Sequence, residues 1–234
     1  MSHDHPRPLN RPAHPDRTAP QIDRSDGISG VRARARGCRA CPLWRDATQT
    51  VFGEGASDAL IMLVGEQPGD GEDRAGHPFV GPAGRVLDRA LQTAGIERTV
   101  VYTTNAVKHF KYRHRGKRRI HQRPAAAELA ACRPWLETEI ELVSPRVVVA
   151  LGSTAAHTLF GRATPVAANR GHPLQAALFE PVLVTIHPSS VLRERDHDAR
   201  EVALGKLVED LRLAARVAAG GDGPLAGGST GRYA

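Results

Sequence analysis

The sequence predicts a three-layer α/β/α domain built on a central, mainly parallel sheet of four strands. Three observations predict it. Four short, near-continuous apolar runs read as strands buried on both faces. Segments with helical apolar spacing alternate with those runs, the order expected of βα units. Each run also stops in polar or turn-forming residues, and in parallel sheets these carboxyl ends gather along one edge where ligands bind.

The first run, Ala59 to Val64, halts at Gly65-Glu66-Gln67-Pro68-Gly69, where Pro and Gly break the extended pattern. A helix is expected over Gly84 to Ala94: Val86, Leu87, Ala90 and Leu91 share a face, and Gly95 supplies a C-terminal stop. Val100 to Val107 is the second strand, with Asn105 near its end. Pro124 favours a helix start, and Leu129, Trp135, Leu136, Ile140 and Val143 suit a long amphipathic helix that Pro145 ends. Val147 to Leu151 is the third strand, closed by Gly152, and a short helix is expected over Ser153 to Leu159. Val182 to Ile186 is the fourth strand, followed by His187-Pro188-Ser189-Ser190, and a final helix runs from about Ala199 to Val217.

The 234 residues suffice for one well-buried domain, expected over 31–218. Residues 1–30 are rich in Pro, His, Arg and Asp, and residues 219–234 are mostly small; both read as disordered tails that cannot bury enough surface to offset chain entropy. No apolar run approaches the ~20 residues of a membrane span, and the N-terminus lacks a secretory core, so an intracellular, cytoplasmic protein with no membrane partner is expected; a monomer is the default expectation. No feature calls for a nicotinamide or nucleotide cofactor.

Charge is concentrated. From Lys108 to Arg123 there are eight basic residues and no Asp or Glu; the chain's formal net charge is +7, so taking away these eight leaves −1 for the remainder. A near-neutral body with one basic patch points to phosphate contact at a defined place, the electrostatic footprint of a nucleic-acid binder, against the alternative of a solvated surface loop. The patch ends in Lys117-Arg118-Arg119-Ile120-His121, which sets one histidine at the end of a basic loop. Three cysteines, Cys38, Cys41 and Cys132, are too few for a disulfide framework in a reducing compartment; the residues alone leave structural zinc or unmetallated thiols open.

Four motifs carry a resemblance to a known family: Gly65-Glu66-Gln67-Pro68-Gly69 with Glu72-Asp73, Pro78-Phe79-Val80-Gly81-Pro82-Ala83-Gly84, Thr104-Asn105-Ala106-Val107-Lys108, and His187-Pro188-Ser189-Ser190. With them the chain resembles the uracil-DNA glycosylase superfamily, and within it the iron-sulfur branch of the family-4 enzymes, over about Gly37 to Leu213. Gln67 stands where family 4 usually has Ala, and the Lys-Arg-Arg-Ile-His stretch is an insertion before the long helix. Both features resemble the UdgX group.

The resemblance implies the uracil-DNA glycosylase fold, uracil-containing DNA as partner, and excision of uracil followed by covalent attachment of the abasic sugar to His121, one turnover per molecule. It implies catalytic roles for Glu66, Gln67, His121 and His187, and uracil binding by Gly65, Phe79 and Asn105. An Asn amide can pair with uracil's keto and N–H groups, a pattern that cytosine does not offer. Lys117, Arg118, Arg119, Ser189, Ser190 and Arg193 are expected on DNA, and Asp73 is expected to be structural. The resemblance also implies a 4Fe-4S cluster held by Cys38, Cys41, His109 and Cys132, with His109 where family 4 has a fourth Cys; imidazole can replace thiolate on iron. The competing readings are a multiple-turnover glycosylase whose basic loop only grips DNA, a non-catalytic module for abasic or single-stranded DNA, and an iron-sulfur electron carrier.

Overall fold

A computed structural model of the chain describes residues 22–176, 178–179 and 181–220. Of the expected tails at 1–30 and 219–234, residues 1–21 and 221–234 lie outside the described residues. The first helix, α1 (Gly27–Ala35), begins ahead of the expected domain start at residue 31 and buries Val31 and Ala35 completely.

The central sheet has five strands, one more than the sequence predicts. They are β1 (Glu54–Gly55), β2 (Ile61–Gly65), β3 (Val101–Asn105), β6 (Val147–Leu151) and β7 (Val182–Thr185), in the order β1-β3-β2-β6-β7. The four expected strands are parallel to their neighbours, and the extra two-residue β1 pairs antiparallel with the outer edge of β3. Two residues with no apolar alternation carry no period to read.

Both faces of the sheet are covered, which is why its strands are apolar throughout. Ile61, Leu63, Val147, Val149, Leu151 and Leu183 point to the side packed by α3 (Pro82–Ala94) and α8 (His197–Ala218). Met62, Val64, Val148, Ala150, Val182 and Val184 point to the side packed by α4 (Ala126–Val143) and α5 (Ser153–Phe160). The alternation of odd and even positions is the strand period of two, hidden in the sequence because both faces are dry. Three shorter helices complete the set: α2 (Asp70–Ala75), α6 (Val166–Asn169) and α7 (Pro188–Arg193). No helix among the described residues is long and apolar enough to cross a membrane.

The basic stretch is not a loop. It forms a separate antiparallel hairpin of β4 (Tyr112–Arg115) and β5 (Arg118–His121), turning at Gly116, whose φ of 59° suits a residue without Cβ.

One ion pair lies at the centre of the fold. Lys108, just beyond β3, meets Glu139 of α4, and both side chains are almost wholly buried. The Lys108 ammonium also donates to Thr104 Oγ1 (2.6 Å) and to the Asn105 carbonyl (2.7 Å). Glu139 accepts from the Gly53 N–H (2.9 Å), Tyr102 Oη (3.1 Å) and Thr104 Oγ1 (2.9 Å). Removing one partner would strand the other charge in the core. Glu139→Ala should therefore cost about 3 to 5 kcal/mol in denaturant unfolding, whereas Lys108→Met with Glu139→Leu should recover most of that loss. A single variant as stable as the parent would show that water reaches the pair.

Candidate functional site

The strand order reverses direction between β2 and β6, which opens a crevice outside their carboxyl ends. A cleft of about 720 Å³ occupies it, lined among others by Glu66, Phe79, Asn105, His121, Thr154 and His187. That volume falls in the range of small-molecule sites. The structure thus brings together Glu66, Phe79, Asn105, His121 and His187, residues up to 121 positions apart in the chain.

Backbone approach explains the glycines around them. Gly65 and Asn105 end β2 and β3 side by side, and a Cβ on Gly65 would lie 2.3 Å from Asn105 Oδ1 and 2.8 Å from Phe79 Cζ. Phe79 sits at φ 57°, a left-handed conformation that is strained for an aromatic residue. Its carbonyl oxygen would be 1.6 Å from a Cβ on Gly84, so Gly84 is what lets the turn close. The ring is held near His187, with centroids 6.5 Å apart and planes 30° from parallel.

His187 caps α7. Its Nδ1 accepts the Ser189 N–H (3.1 Å) and lies 2.7 Å from Ser189 Oγ, which in turn accepts from Arg193 Nη1 (3.0 Å). A backbone N–H can only donate, so Nδ1 is unprotonated and the ring's proton is on Nε2. Burial pushes the imidazole's pKa down to about 4 against the pull of the Glu66 charge, so the ring is neutral at pH 7. Ser190 Oγ donates to the His187 carbonyl (2.6 Å). The two serines expected on phosphates therefore hold His187 in place here, and both line the cleft.

The hairpin is docked by residues from far upstream. Gln67 Nε2 donates to the carbonyls of Lys111 (3.2 Å) and Gln122 (3.0 Å), and its Oε1 accepts the Lys111 N–H (3.1 Å). One amide thus clamps both ends of the hairpin. Arg119, expected on DNA, points inward instead: it pairs with Asp70 and Asp73 (2.6 Å to the latter) and lies over the rings of Phe110 and Tyr112. Two carboxylates neutralise it. Asp73 also accepts the Thr48 N–H (3.0 Å) and is wholly buried, as a structural residue would be. Lys117 and Arg118, at the hairpin tip, are exposed.

The hairpin delivers His121 to the cleft mouth, where its Nε2 lies 3.1 Å from Glu66 Oε1. The other carboxylate oxygen, Oε2, accepts the Thr154 hydroxyl. Burial works to raise the Glu66 pKa, but the bonds from His121 and Thr154 outweigh it and hold the carboxyl below its ordinary value. An ionised carboxylate and two imidazoles thus share one crevice. Thr154, whose Oγ1 accepts from Arg123 Nε (3.2 Å), is not among the residues the sequence singles out, and Arg123 enters there only as the last of the eight basic residues. The available signal was position alone, since Thr154 follows the turn that closes the third apolar strand.

Behind the site, Cys41 and Cys132 join one buried cluster with Val31, Phe52, Val107 and Trp135, and half-buried Cys38 packs against it. None of the three forms a disulfide. The Lys108 N–H is aimed at Cys132 Sγ and Trp135 Nε1–H at Cys38 Sγ, each at 3.2 Å, the kind of donors that stabilise metal-bound thiolates. Among the described residues, no three His, Cys, Asp or Glu side chains converge tightly enough for a single metal ion. His109 is buried, with Nε2 2.9 Å from Thr50 Oγ1, so only Nδ1 would be available to a metal.

Comparison with known proteins bears on this geometry. Residues 52–212 match the Uracil DNA glycosylase superfamily. The chain is 39% identical over 175 residues to a type-4 uracil-DNA glycosylase of Thermotoga maritima, covering 74% of this chain and 88% of that one. It is 36% identical over 166 residues to a type-4 uracil-DNA glycosylase of Pyrobaculum aerophilum, covering 68% and 81%. A type-5 uracil-DNA glycosylase of Thermus thermophilus is 31% identical over 205 residues, covering 79% and 88%. With a family match over residues 52–212 and relatives of this identity over more than two thirds of its length, the chain belongs to the uracil-DNA glycosylase superfamily.

Proposed function

We propose that this protein excises uracil from DNA and then joins itself to the abasic deoxyribose through His121, in the manner of the UdgX group. The observation that carries the reading is the His121 imidazole poised 3.1 Å from an ionised Glu66, at the mouth of a cleft floored by Asn105, Phe79 and His187.

A uracil extruded from the helix, or met in a single strand, enters the cleft and lies against Phe79 while the Asn105 amide pairs with its keto and ring N–H groups. As the glycosidic bond breaks, its electron pair leaves with the base. The neutral His187 offers its Nε2–H to a keto oxygen of the departing anion; a preorganised donor of this kind lowers a barrier by about 3 kcal/mol. The sugar is left as a cation with the Glu66 carboxylate nearby. One ring nitrogen of His121 then bonds to the anomeric carbon, and the proton on the other passes to Glu66. Proximity favours the histidine over water. Lys117 and Arg118, exposed on the hairpin tip, and Arg193, which lines the cleft, would meet phosphates in this reading.

The three thiols and the sulfur-directed N–H groups fit an iron-sulfur cluster, whose ligands sit on separate irons and need not converge on one point. Cys38, Cys41 and Cys132 would hold a 4Fe-4S cluster with His109 as the fourth ligand. When bound it supplies a structural tie among the N-terminal segment, the chain after β3 and α4.

Denaturing electrophoresis with a uracil-containing single-stranded oligonucleotide tests the central claim. Wild type should give a heat- and SDS-resistant shifted band, and His121→Ala should lose the band while still releasing uracil. Many uracils released per wild-type molecule without a band would make this a multiple-turnover glycosylase.

Release measured in single turnover should keep its neutral rate on acidification to about pH 5, because His187 protonates only at about 4 and Glu66 stays ionised. Below that, protonation of Nδ1 removes the acceptor for the Ser189 N–H. An inflection close to ~6.5 in release would show that His187 is not held neutral. Iron and acid-labile sulfide at about four each per chain, both lost in Cys132→Ser, are expected for the cluster; one zinc per chain would replace that assignment.

A further inference from the structure

We infer that Thr154 and Arg123 are positioning residues that aim Glu66 at His121, and that they set how much of the excised product is captured by the protein rather than by water. The inference rests on His121 as the residue that meets the sugar.

The direction of each proton in this chain of contacts is fixed by chemistry. Arg123 Nε–H can only donate, and it points at Thr154 Oγ1 from 3.2 Å. The Glu66 carboxylate, ionised, can only accept. The Thr154 hydroxyl has a single proton, so it accepts from Arg123 and donates to Glu66 Oε2. With Oε2 held in this way, Oε1 is the oxygen presented to His121 Nε2.

The contacts form a closed circuit. His121 ends β5 and Arg123 follows two residues later, so one strand exit reaches Glu66 twice: directly through His121, and through Thr154 by way of Arg123. Thr154 is almost wholly buried near the start of α5, which follows the turn at Gly152. The circuit also bridges the crevice, since Glu66 leaves β2 and Thr154 follows β6. A hairpin lifted from the body would lose both arms together, and Glu66 would lose its orientation with them.

A neutral donor suits the task. An Arg or Lys on Oε2 would orient Glu66 but would also compensate its charge, weakening it as a proton acceptor. A hydroxyl orients the carboxylate and leaves it negative. The other titratable groups facing Glu66 are His121 from the hairpin and His187 from the turn before α7; Arg123 acts through the hydroxyl.

The alternative, that Thr154 merely begins a helix, makes a different prediction for its near-isosteric replacement. The experiment uses the full-length protein on a uracil-containing single-stranded oligonucleotide in single turnover. It reads the ratio of covalent adduct to free abasic DNA, a quantity independent of how fast uracil leaves. Thr154→Val should lower that ratio about tenfold, as expected for loss of a hydrogen bond to a charged group, and Thr154→Ser should restore it. Arg123→Met should shift it the same way by less, and the double variant Thr154→Val with Arg123→Met should be no worse than Thr154→Val alone, because both act along one path. A wild-type ratio in Thr154→Val, or a Ser variant as poor as Val, overturns the inference. Should Thr154→Val fail to fold, an unchanged ratio in Arg123→Met overturns it instead. Failure of wild type to form any adduct would refute the underlying role of His121, and that outcome appears in a different arm of the experiment.

Discussion

The buried Lys108–Glu139 pair is the contact on which both ends of this protein depend. Burying two charges is costly, and the cost is offset only where every donor and acceptor finds a partner. Here Tyr102, Thr104, Gly53 and the Asn105 carbonyl complete the set. The same lysine's backbone N–H is directed at Cys132, and its carbonyl accepts the Val51 N–H at 2.8 Å. One residue therefore fixes the strand end that presents the Asn105 amide, the thiol cluster behind it and the segment leading into β1. An apolar pair could fill the same volume, but it would not specify where the Asn105 carbonyl stops.

At the other side of the crevice, environment sorts the titratable groups into complementary roles. His187 and Glu66 both have lowered pKa values, for opposite reasons: desolvation disfavours the imidazolium, while hydrogen bonds favour the carboxylate. The result is a neutral donor beside a negative acceptor. Such a pair matches a reaction in which negative charge develops on a leaving base and positive charge on the sugar left behind.

Much of this was legible in the sequence, and the missing part has a physical pattern. The four parallel strands, α3, α4 and α8 announce themselves through apolar runs and helical spacing, because tertiary burial and local period agree there. Glu66, Asn105 and His187 follow from their places at strand ends. The hairpin was hidden: Tyr112 and Ile120 are its only large apolar residues, and it is held by Gln67, Asp70 and Asp73 from more than forty residues upstream. A count of charges could not reveal that Arg119 is neutralised by two carboxylates, since ion pairing is a property of space and not of sequence distance. Thr154 was silent for the same reason, being one of several threonines until β2 and β6 bring it against Glu66.

Gln67 shows how a single side chain couples these layers. Its amide has one acceptor and two N–H donors, and the hairpin ends offer it two carbonyls and one N–H. Alanine at this position would leave those three backbone groups with no partner from residue 67, and a hairpin with so little apolar surface would then rest on its side-chain contacts, among them Arg119 with Asp70 and Asp73 and Lys111 with Glu128 (2.9 Å). Gln67 and the hairpin are thus one device in two pieces. Its inner residues are neutralised or clamped, its tip keeps the free charge of Lys117 and Arg118, and His121 emerges where the two regions meet. That division lets the same element keep exposed cations and place an imidazole against Glu66, because the cations at its tip are not the one that holds the hairpin down.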